Sequence, residues 1–480
     1  MADSRRASSS KFKNVELIVE SQTRLIQFLS SILVSLLLTY LLKDSSFTSS
    51  QTYVLFLLFF SIGLWITEAI PPFAVGIMIV GFLVFSLGQP GMNQEIEVEK
   101  FVNTWSDSVI WLLLGGFFLA EGMKKTGLDI QVFEMVTKKF GHNPTKMLLV
   151  LMLATAGTSM IMSNTATTAM MIAALMPLIH SLGKQSGFAK ALLLGIPASA
   201  TIGGMGTIIG SPPNAIAVDM INRLPGVTYK IGFLDWMILG FPVAVLLVIG
   251  FWIILKRKYD IPKVVDLSSL QNDDLKVENR QYVGKWTRKR IMWLVLGLTV
   301  LLWLTDGIHP IPMAAVSAIP IIALTMVSII KADDVRSLPW DTLMLVAGGL
   351  SLGLAIQETG LMDYFLTYLK DATLPLSLLI FSFAIITVFS SNIMSNTAAA
   401  AILIPAATLW DGINPIILPL IIGLSASCAL FLPVSTPPNA IAYSTGLINQ
   451  KEFRIGGLSI GLAGPALIAL WVLLVIGFVM

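Results

Sequence analysis

Apolar runs of roughly 20 residues, the length that crosses a bilayer core, alternate along the chain with short polar connectors. They fall near 26–43, 52–69, 73–89, 106–121, 189–222, 235–255, 291–304, 311–330, 341–357, 415–447 and 455–479, which predicts eleven crossings. Two further apolar stretches, 147–180 and 375–410, are too long for one crossing, and each carries a polar island in its middle. The islands are Ser163-Asn164-Thr165 and Ser395-Asn396-Thr397. Polar backbone in such surroundings is costly unless it lines a site. Both stretches therefore read as re-entrant helical hairpins that enter and leave on one side. The expected fold class is an all-α polytopic membrane protein of eleven transmembrane helices plus two hairpins.

Composition agrees. Of 480 residues only 12% are charged and 55% are hydrophobic, against about 25% charged in soluble domains. The mean hydropathy is +0.81. One cysteine, Cys428, excludes an intrachain disulfide, and His142, His180 and His309 are too scattered for a histidine-built metal site. A phosphate-binding loop is missing, so direct ATP drive is not indicated, and no nucleic-acid partner is expected.

Charge sets the expected orientation. Basic residues cluster at Arg5, Arg6, Lys11, Lys13 and Arg24, at Lys124, Lys125, Lys138, Lys139 and Lys146, and in the linker 256–290. The opposite loops hold Glu95, Glu97, Glu99, Glu358, Asp363 and Asp371. The positive-inside rule then predicts a multi-pass cell-membrane protein, N-terminus cytoplasmic and C-terminus external. Residues 1–25 read as a cytoplasmic tail whose Ser8-Ser9-Ser10 run is expected to be disordered, and 26–51 as an extra first transmembrane segment.

The landmarks come in pairs. Gly115-Gly116 and Thr126-Gly127-Leu128 return as Gly348-Gly349 and Thr359-Gly360-Leu361. Trp105 and Trp340 precede the glycine pairs, and Pro212-Pro213-Asn214 and Pro437-Pro438-Asn439 follow the two Ser-Asn-Thr islands. Ordered landmarks in one register indicate a duplication, with units at 52–255 and 291–479 joined by 256–290. Each unit holds five crossings and one hairpin. An odd number of crossings inverts the second copy relative to the first, as in many secondary transporters, and substrate then sits where the repeats meet.

The hairpins contain no Asp, Glu, Lys or Arg. Their Ser and Asn oxygens can ligate a hard cation, while amide and hydroxyl hydrogens can donate to an anion. The second arm of each hairpin is expected to begin at Asn164 and Asn396, offering free backbone N–H groups and partial positive charge. The paired prolines are expected to unwind their spans and expose carbonyls such as those of Gly210 and Ser435. Such carbonyls suit sodium. A dianion at this site would find no Arg or Lys in the hairpins, and two helix ends contribute roughly half a charge each. Bound cations would supply the rest, which motivates cation-coupled uptake.

At these residues the chain resembles the divalent anion/sodium symporter family, including INDY-like dicarboxylate carriers and the sodium-citrate and sodium-sulfate transporters. The resemblance covers nearly the whole chain. It implies a homodimer with a scaffold domain and a transport domain that moves as an elevator. It further implies that Ser163, Asn164, Thr165, Ser395, Asn396, Thr397, Thr436 and Pro437 contact substrate carboxylates. Ser159, Ser163, Asn164 and Gly210 would form one sodium site, and Ser391, Asn396 and Ser435 the other. Ser211 stands before the first proline pair where the family usually has threonine, which keeps the hydroxyl. The implied activity is sodium-coupled transport of succinate, malate, fumarate or 2-oxoglutarate. Sodium-independent exchange, and citrate or sulfate transport, remain open alternatives.

Other classes fit less well. An anion channel would need a continuous polar or basic pore lining. An intramembrane hydrolase would need a base beside a nucleophilic serine, and none accompanies Ser163 or Ser395, so no enzyme is expected. Glu68, Asp107, Asp306 and Asp341 lie at expected span ends, where caps and headgroup contacts account for them. Trp105, Trp111, Trp303 and Trp340 suit the aromatic belt, and the 22 methionines suit packing.

Overall fold

The computed structural model describes residues 2–89, 96–128, 131, 135, 143–224, 227, 229–265, 286–361, 364, 375–408, 410 and 414–479, with side chains from 21 onward except at 286, 478 and 479. His142, Glu95, Lys138, Lys139, Asp363, Asp371 and most of the 256–290 linker lie outside the described residues.

Regular structure among the described residues is helical throughout. The order is α1 Ala2–Leu42, α2 Ser49–Thr67, α3 Pro72–Leu87, α4 Glu99–Asn103, α5 Ser108–Thr126, α6 Pro144–Ser159, α7 Asn164–Leu182 and α8 Gly187–Gly203. It continues with α9 Pro212–Arg223, α10 Phe233–Lys258, α11 Trp286–Leu304, α12 Met313–Val316, α13 Ala318–Met326 and α14 Ala332–Arg336. The last six are α15 Trp340–Glu358, α16 Leu376–Ile393, α17 Asn396–Ala407, α18 Ile417–Ser425, α19 Pro437–Ser444 and α20 Gln450–Val479. Nine helical segments among the described residues are long and apolar enough to cross a membrane, two of them arms of the expected hairpins, Asn164–Leu182 and Leu376–Ile393. Several apolar runs form two pieces rather than one helix. The 189–222 run breaks between α8 and α9, the 311–330 run between α12 and α13, and the 415–447 run between α18 and α19. The expected disordered Ser8-Ser9-Ser10 segment is instead continuous with α1.

The chain divides into two compact units. One comprises Met1–Trp105 with Met344–Tyr368, the other Ser106–Leu343 with Leu369–Met480. In the first unit, α1 meets α2 through a small-residue stripe. Ser31, Ser35 and Thr39 are buried at four-residue spacing, and Ser35 and Thr39 return their hydroxyls to the carbonyls four residues back at 2.6 and 2.7 Å. Small residues let helix backbones approach where lipid offers no hydrophobic drive. Helices α3 and α15 come closest at Gly76 and Gly348: a Cβ on Gly76 would sit 2.5 Å from the Met344 carbonyl, and one on Gly348 would overlap the Gly76 backbone. Ser351 is buried here, its hydroxyl 2.8 Å from Thr104 Oγ1 and donating to the Phe101 carbonyl at 2.8 Å.

The second unit repeats the device. Gly115 on α5 packs against Ser317 at the α12–α13 break, where an added Cβ would lie 2.6 Å from the serine Cβ. The two Thr-Gly-Leu copies have one structural meaning. Gly127 and Gly360 both adopt φ of 67°, and their N–H groups close the preceding helices on Lys124 O at 3.1 Å and Gln357 O at 3.0 Å. Left-handed backbone at a helix end favours glycine.

Trp303 departs from the aromatic-belt expectation. It is fully buried, stacks on Phe233 at 5.2 Å, and its indole N–H reaches the Met313 carbonyl at 3.3 Å. Trp111 is 46% and Trp340 37% exposed, as a surface position requires.

Gly348→Leu should destabilise the first unit by about 3 kcal/mol, because backbone rather than a movable side chain blocks the added group. Gly81→Leu on α3 meets open space and should be tolerated. Thermal unfolding of the purified protein compares the two, and equal melting temperatures would contradict the close approach.

Candidate substrate and cation site

Each Ser-Asn-Thr island is a helix start. Ser163 and Ser395 have extended backbone and serve as N-caps, their hydroxyls accepting from Ala166 N at 3.2 Å and Ala398 N at 3.1 Å. Asn and Thr then occupy the first two helical positions, whose N–H groups point off the helix end without an intrahelical acceptor. The short turns after α6 and α16 place these starts at the tips of two helix-turn-helix elements.

Each Pro-Pro-Asn begins a helix too. Helix α8 ends at Gly203, tightens through a 3₁₀ turn at Gly204–Gly206, and the chain is non-helical until Pro212 opens α9. Helix α18 ends at Ser425, tightens at Ala426–Cys428, and is non-helical until Pro437 opens α19. Proline at the first helical position costs nothing because that N–H has no helical partner. The asparagine serves the break behind it. Asn214 Nδ2 donates to Gly204 O at 2.8 Å and Thr207 O at 2.7 Å. Asn439 Nδ2 donates to Leu432 O at 3.1 Å and lies 3.5 Å from Leu430 O.

The two halves interlock within this unit. Helix α9 packs on α17 and α18, while α19 packs on α7 and α8. Each broken helix thus lies against the hairpin of the opposite half. Trp236 on α10 supports the first break by donating to Met205 O at 2.9 Å.

Ser159, Asn164 and Gly210 come together. Ser159 Oγ donates to Asn164 Oδ1 at 2.5 Å. A Cβ on Gly204 would lie 2.8 Å from that Oδ1 and 2.9 Å from the Gly210 carbonyl oxygen. The carboxamide and the carbonyl therefore converge on the face of Gly204 that lacks a side chain. Ser163 adjoins them along the chain, with its hydroxyl occupied as a cap. In the second half, Ser391 Oγ and Asn396 Oδ1 are buried without a hydrogen-bond partner. Buried oxygens of this kind are expensive unless a ligand completes them. Ser435 is 6% and Thr436 3% exposed, and the Thr436 hydroxyl caps α19 by accepting from Asn439 N at 3.3 Å. Thr165 and Pro437 are exposed, whereas Thr397 is buried.

Sequence reasoning missed several residues of this neighbourhood. Gly204 carries no signal beyond a glycine-rich stretch. Thr207 Oγ1 donates to the Met160 carbonyl and accepts from Gly210 N at 3.1 Å, fastening the first break to the hairpin tip. Asn392 performs a related task in the second half, and its place in Ser390-Ser391-Asn392 near the end of an apolar helix was the available signal. Asp107 does more than cap a span end. Its carboxylate accepts from Val109 N at 2.8 Å and pairs with Arg223 at the end of α9, which also holds Asp219 at 2.8 Å. Arg223 is thus committed to two carboxylates, and the hairpins themselves stay free of charge.

Two capped helix starts lying against two proline-broken helices, in a many-span helical chain, form the architecture of a secondary transporter. The family described as Citrate transporter (CitMHS) matches residues 62–410. The chain belongs to that family of membrane transporters, of the divalent anion/sodium symporter type, and is not an enzyme. It is 29% identical over 472 residues to the sodium-dependent dicarboxylate transporter SdcS of Staphylococcus saprophyticus, a match covering 91% of this chain and 88% of that protein. It is 30% identical over 450 residues to SdcS of Staphylococcus aureus strain USA300, covering 87% and 84%. Among solved structures it resembles MtrF of Neisseria gonorrhoeae, with a TM-score of 0.56 and 12% identity over 84% of this chain and 95% of that one. The YdaH transporter of Alcanivorax borkumensis gives a TM-score of 0.55 and 11% identity over 85% and 99%. At such identities the likeness is one of fold.

Gly204→Ala should lower uptake into proteoliposomes about tenfold or more, since the new methyl displaces the Asn164 amide or the Gly210 carbonyl. The elution profile should not change, and undiminished uptake would contradict the convergence on Gly204. Arg223→Met should cost about 1–3 kcal/mol, below the value for a fully buried pair because Arg223 is partly exposed. A melting temperature equal to wild type would show that Asp107 and Asp219 do not need it.

Proposed function

We propose that this chain carries C4/C5 dicarboxylates such as succinate, malate, fumarate or 2-oxoglutarate across the cell membrane, coupled to sodium. The carrying observation is the pair of charge-free tips, each a capped helix start beside a broken helix. A helix start contributes roughly half a positive charge, so two starts leave a dianion about half neutralised. Sodium travelling with the substrate supplies the remainder. Hard oxygen ligands are what sodium needs. Ser159, Ser163, Asn164 and Gly210 are assigned to one ion, and Ser391, Asn396 and Ser435 to the other. The unpartnered Ser391 and Asn396 oxygens and the Gly204 convergence support those assignments. Ser163, Asn164, Thr165, Ser395, Asn396, Thr397, Thr436 and Pro437 are assigned to the carboxylates. The name shared by the SdcS relatives supports both cargoes.

In this reading the two hairpins are re-entrant and the two halves are inverted repeats, with N-terminus inside and C-terminus outside. Support comes from the matching structural roles of the paired landmarks: glycine contacts at 115 and 348, left-handed caps at 127 and 360, and capped starts at 164 and 396. The transporting body moves as an elevator within a homodimer. The family's description favours a second reading, in which citrate is the organic anion.

Proteoliposome uptake of labelled succinate tests the proposal, with citrate as competitor and choline in place of sodium. Sodium-dependent succinate uptake is expected, reduced to background in Asn164→Ala and Asn396→Ala with the protein still monodisperse. Uptake unaltered in choline would remove the coupling, and wild-type rates in either variant would remove the site. Citrate uptake exceeding succinate uptake would favour the second reading.

A further inference from the structure

The end of α16 carries three polar residues in succession, Ser390, Ser391 and Asn392. The proposed sodium site uses Ser391 and leaves Asn392 without a role. Yet Asn392 Oδ1 accepts from Phe431 N at 2.9 Å and from Ser435 Oγ at 2.7 Å. Its Nδ2 donates to Val388 O at 2.7 Å, one turn back on α16. Ser435 Oγ in turn accepts from Leu432 N at 2.9 Å. One carboxamide therefore ties the hairpin arm to the non-helical stretch before α19 at two points four residues apart.

That stretch has no regular helical ladder to aim its carbonyls, so ties of this kind decide where they point. The first half meets the same need differently. Counting back three residues from each island serine places Met160 opposite Asn392. There the acceptor is the Met160 main-chain carbonyl and the donor is Thr207. The first junction rests on backbone and the second on a side chain, so the second can be altered by substitution at the acceptor.

We infer that Asn392 is a positioning residue for the second sodium site: it holds Ser435 in register with Ser391 and Asn396, and so sets sodium affinity without contacting the organic anion. This rests on the sodium-coupled reading above. Groups that orient ligands for an ion commonly change its affinity about 10- to 100-fold when removed.

Sodium-activation curves of labelled succinate uptake in proteoliposomes provide the test. Asn392→Ala should raise the half-saturating sodium concentration about tenfold. Maximal uptake and the KM for succinate at saturating sodium should stay close to wild type. Asn392→Asp keeps the acceptor oxygen for Phe431 N and Ser435 Oγ while losing the donor to Val388 O, and should move the curve back toward wild type. Ser435→Ala removes one of the two donors, should shift sodium in the same direction, and should add little to Asn392→Ala because the bond it removes is already absent there. A merely structural role would lower the folded yield or maximal rate with the sodium midpoint unmoved, and that result overturns the inference. So do additive effects in the double variant or failure of the aspartate to rescue. Should Asn392→Ala not fold, Asn392→Leu carries the test, a side chain of similar size without the acceptor, and an unshifted midpoint there overturns it. Wild-type uptake indifferent to sodium would overturn the coupled reading and this inference with it. Sodium-dependent wild-type uptake with an unshifted Asn392→Ala curve overturns this inference alone.

Discussion

Two proline-opened breaks in apolar helices dominate the second unit. A broken helix leaves main-chain donors and acceptors that lipid cannot satisfy, so the protein must supply partners. Asn214 and Asn439 do so from the first turn of the following helix, each returning its amide to carbonyls of the break. Thr207 and Asn392 fasten the same breaks to the hairpins. With the breaks held, oxygens can gather where a continuous helix would have hidden them.

The polarity of the site follows from that scaffold. Its groups are dipoles, not ions: capped helix ends, carboxamides, hydroxyls and carbonyls. A permanent arginine would attract an anion strongly and would remain charged when the site was empty. A dipolar site avoids that desolvated charge, and in the proposed reading the attraction depends on ions that arrive with the substrate. Arg223, at the end of α9, is already committed to Asp107 and Asp219, which keeps its charge from acting alone.

The halves match closely in some places and diverge in others. Left-handed caps and capped helix starts recur with the same geometry, and close glycine contacts recur against different partners, Ser317 for Gly115 and Gly76 for Gly348. The stretch before the proline pair does not: it is longer in the second half, and its anchor to the hairpin is a side chain. The paired motifs thus rest on unlike anchors, a main-chain carbonyl at Met160 and a side chain at Asn392.

Much of this was legible in the chain. The membrane class, the hairpins' interruption at Ser163–Thr165 and Ser395–Thr397, and the helix starts at Asn164 and Asn396 follow from local rules about apolar length, capping serines and proline. The family followed from the same motifs. What the linear pattern could not carry was partnership across distance. That α9 lies against α17 and α19 against α7, that Gly204 makes room for Asn164, that Asn392 reaches Phe431 and Ser435, and that Trp303 is buried rather than interfacial all depend on packing between segments far apart in sequence. Periodicity and motif spacing report a segment's own conformation. The neighbour it meets is chosen by shape and hydrogen-bond demand summed over the folded unit, and only the tertiary structure contains that sum.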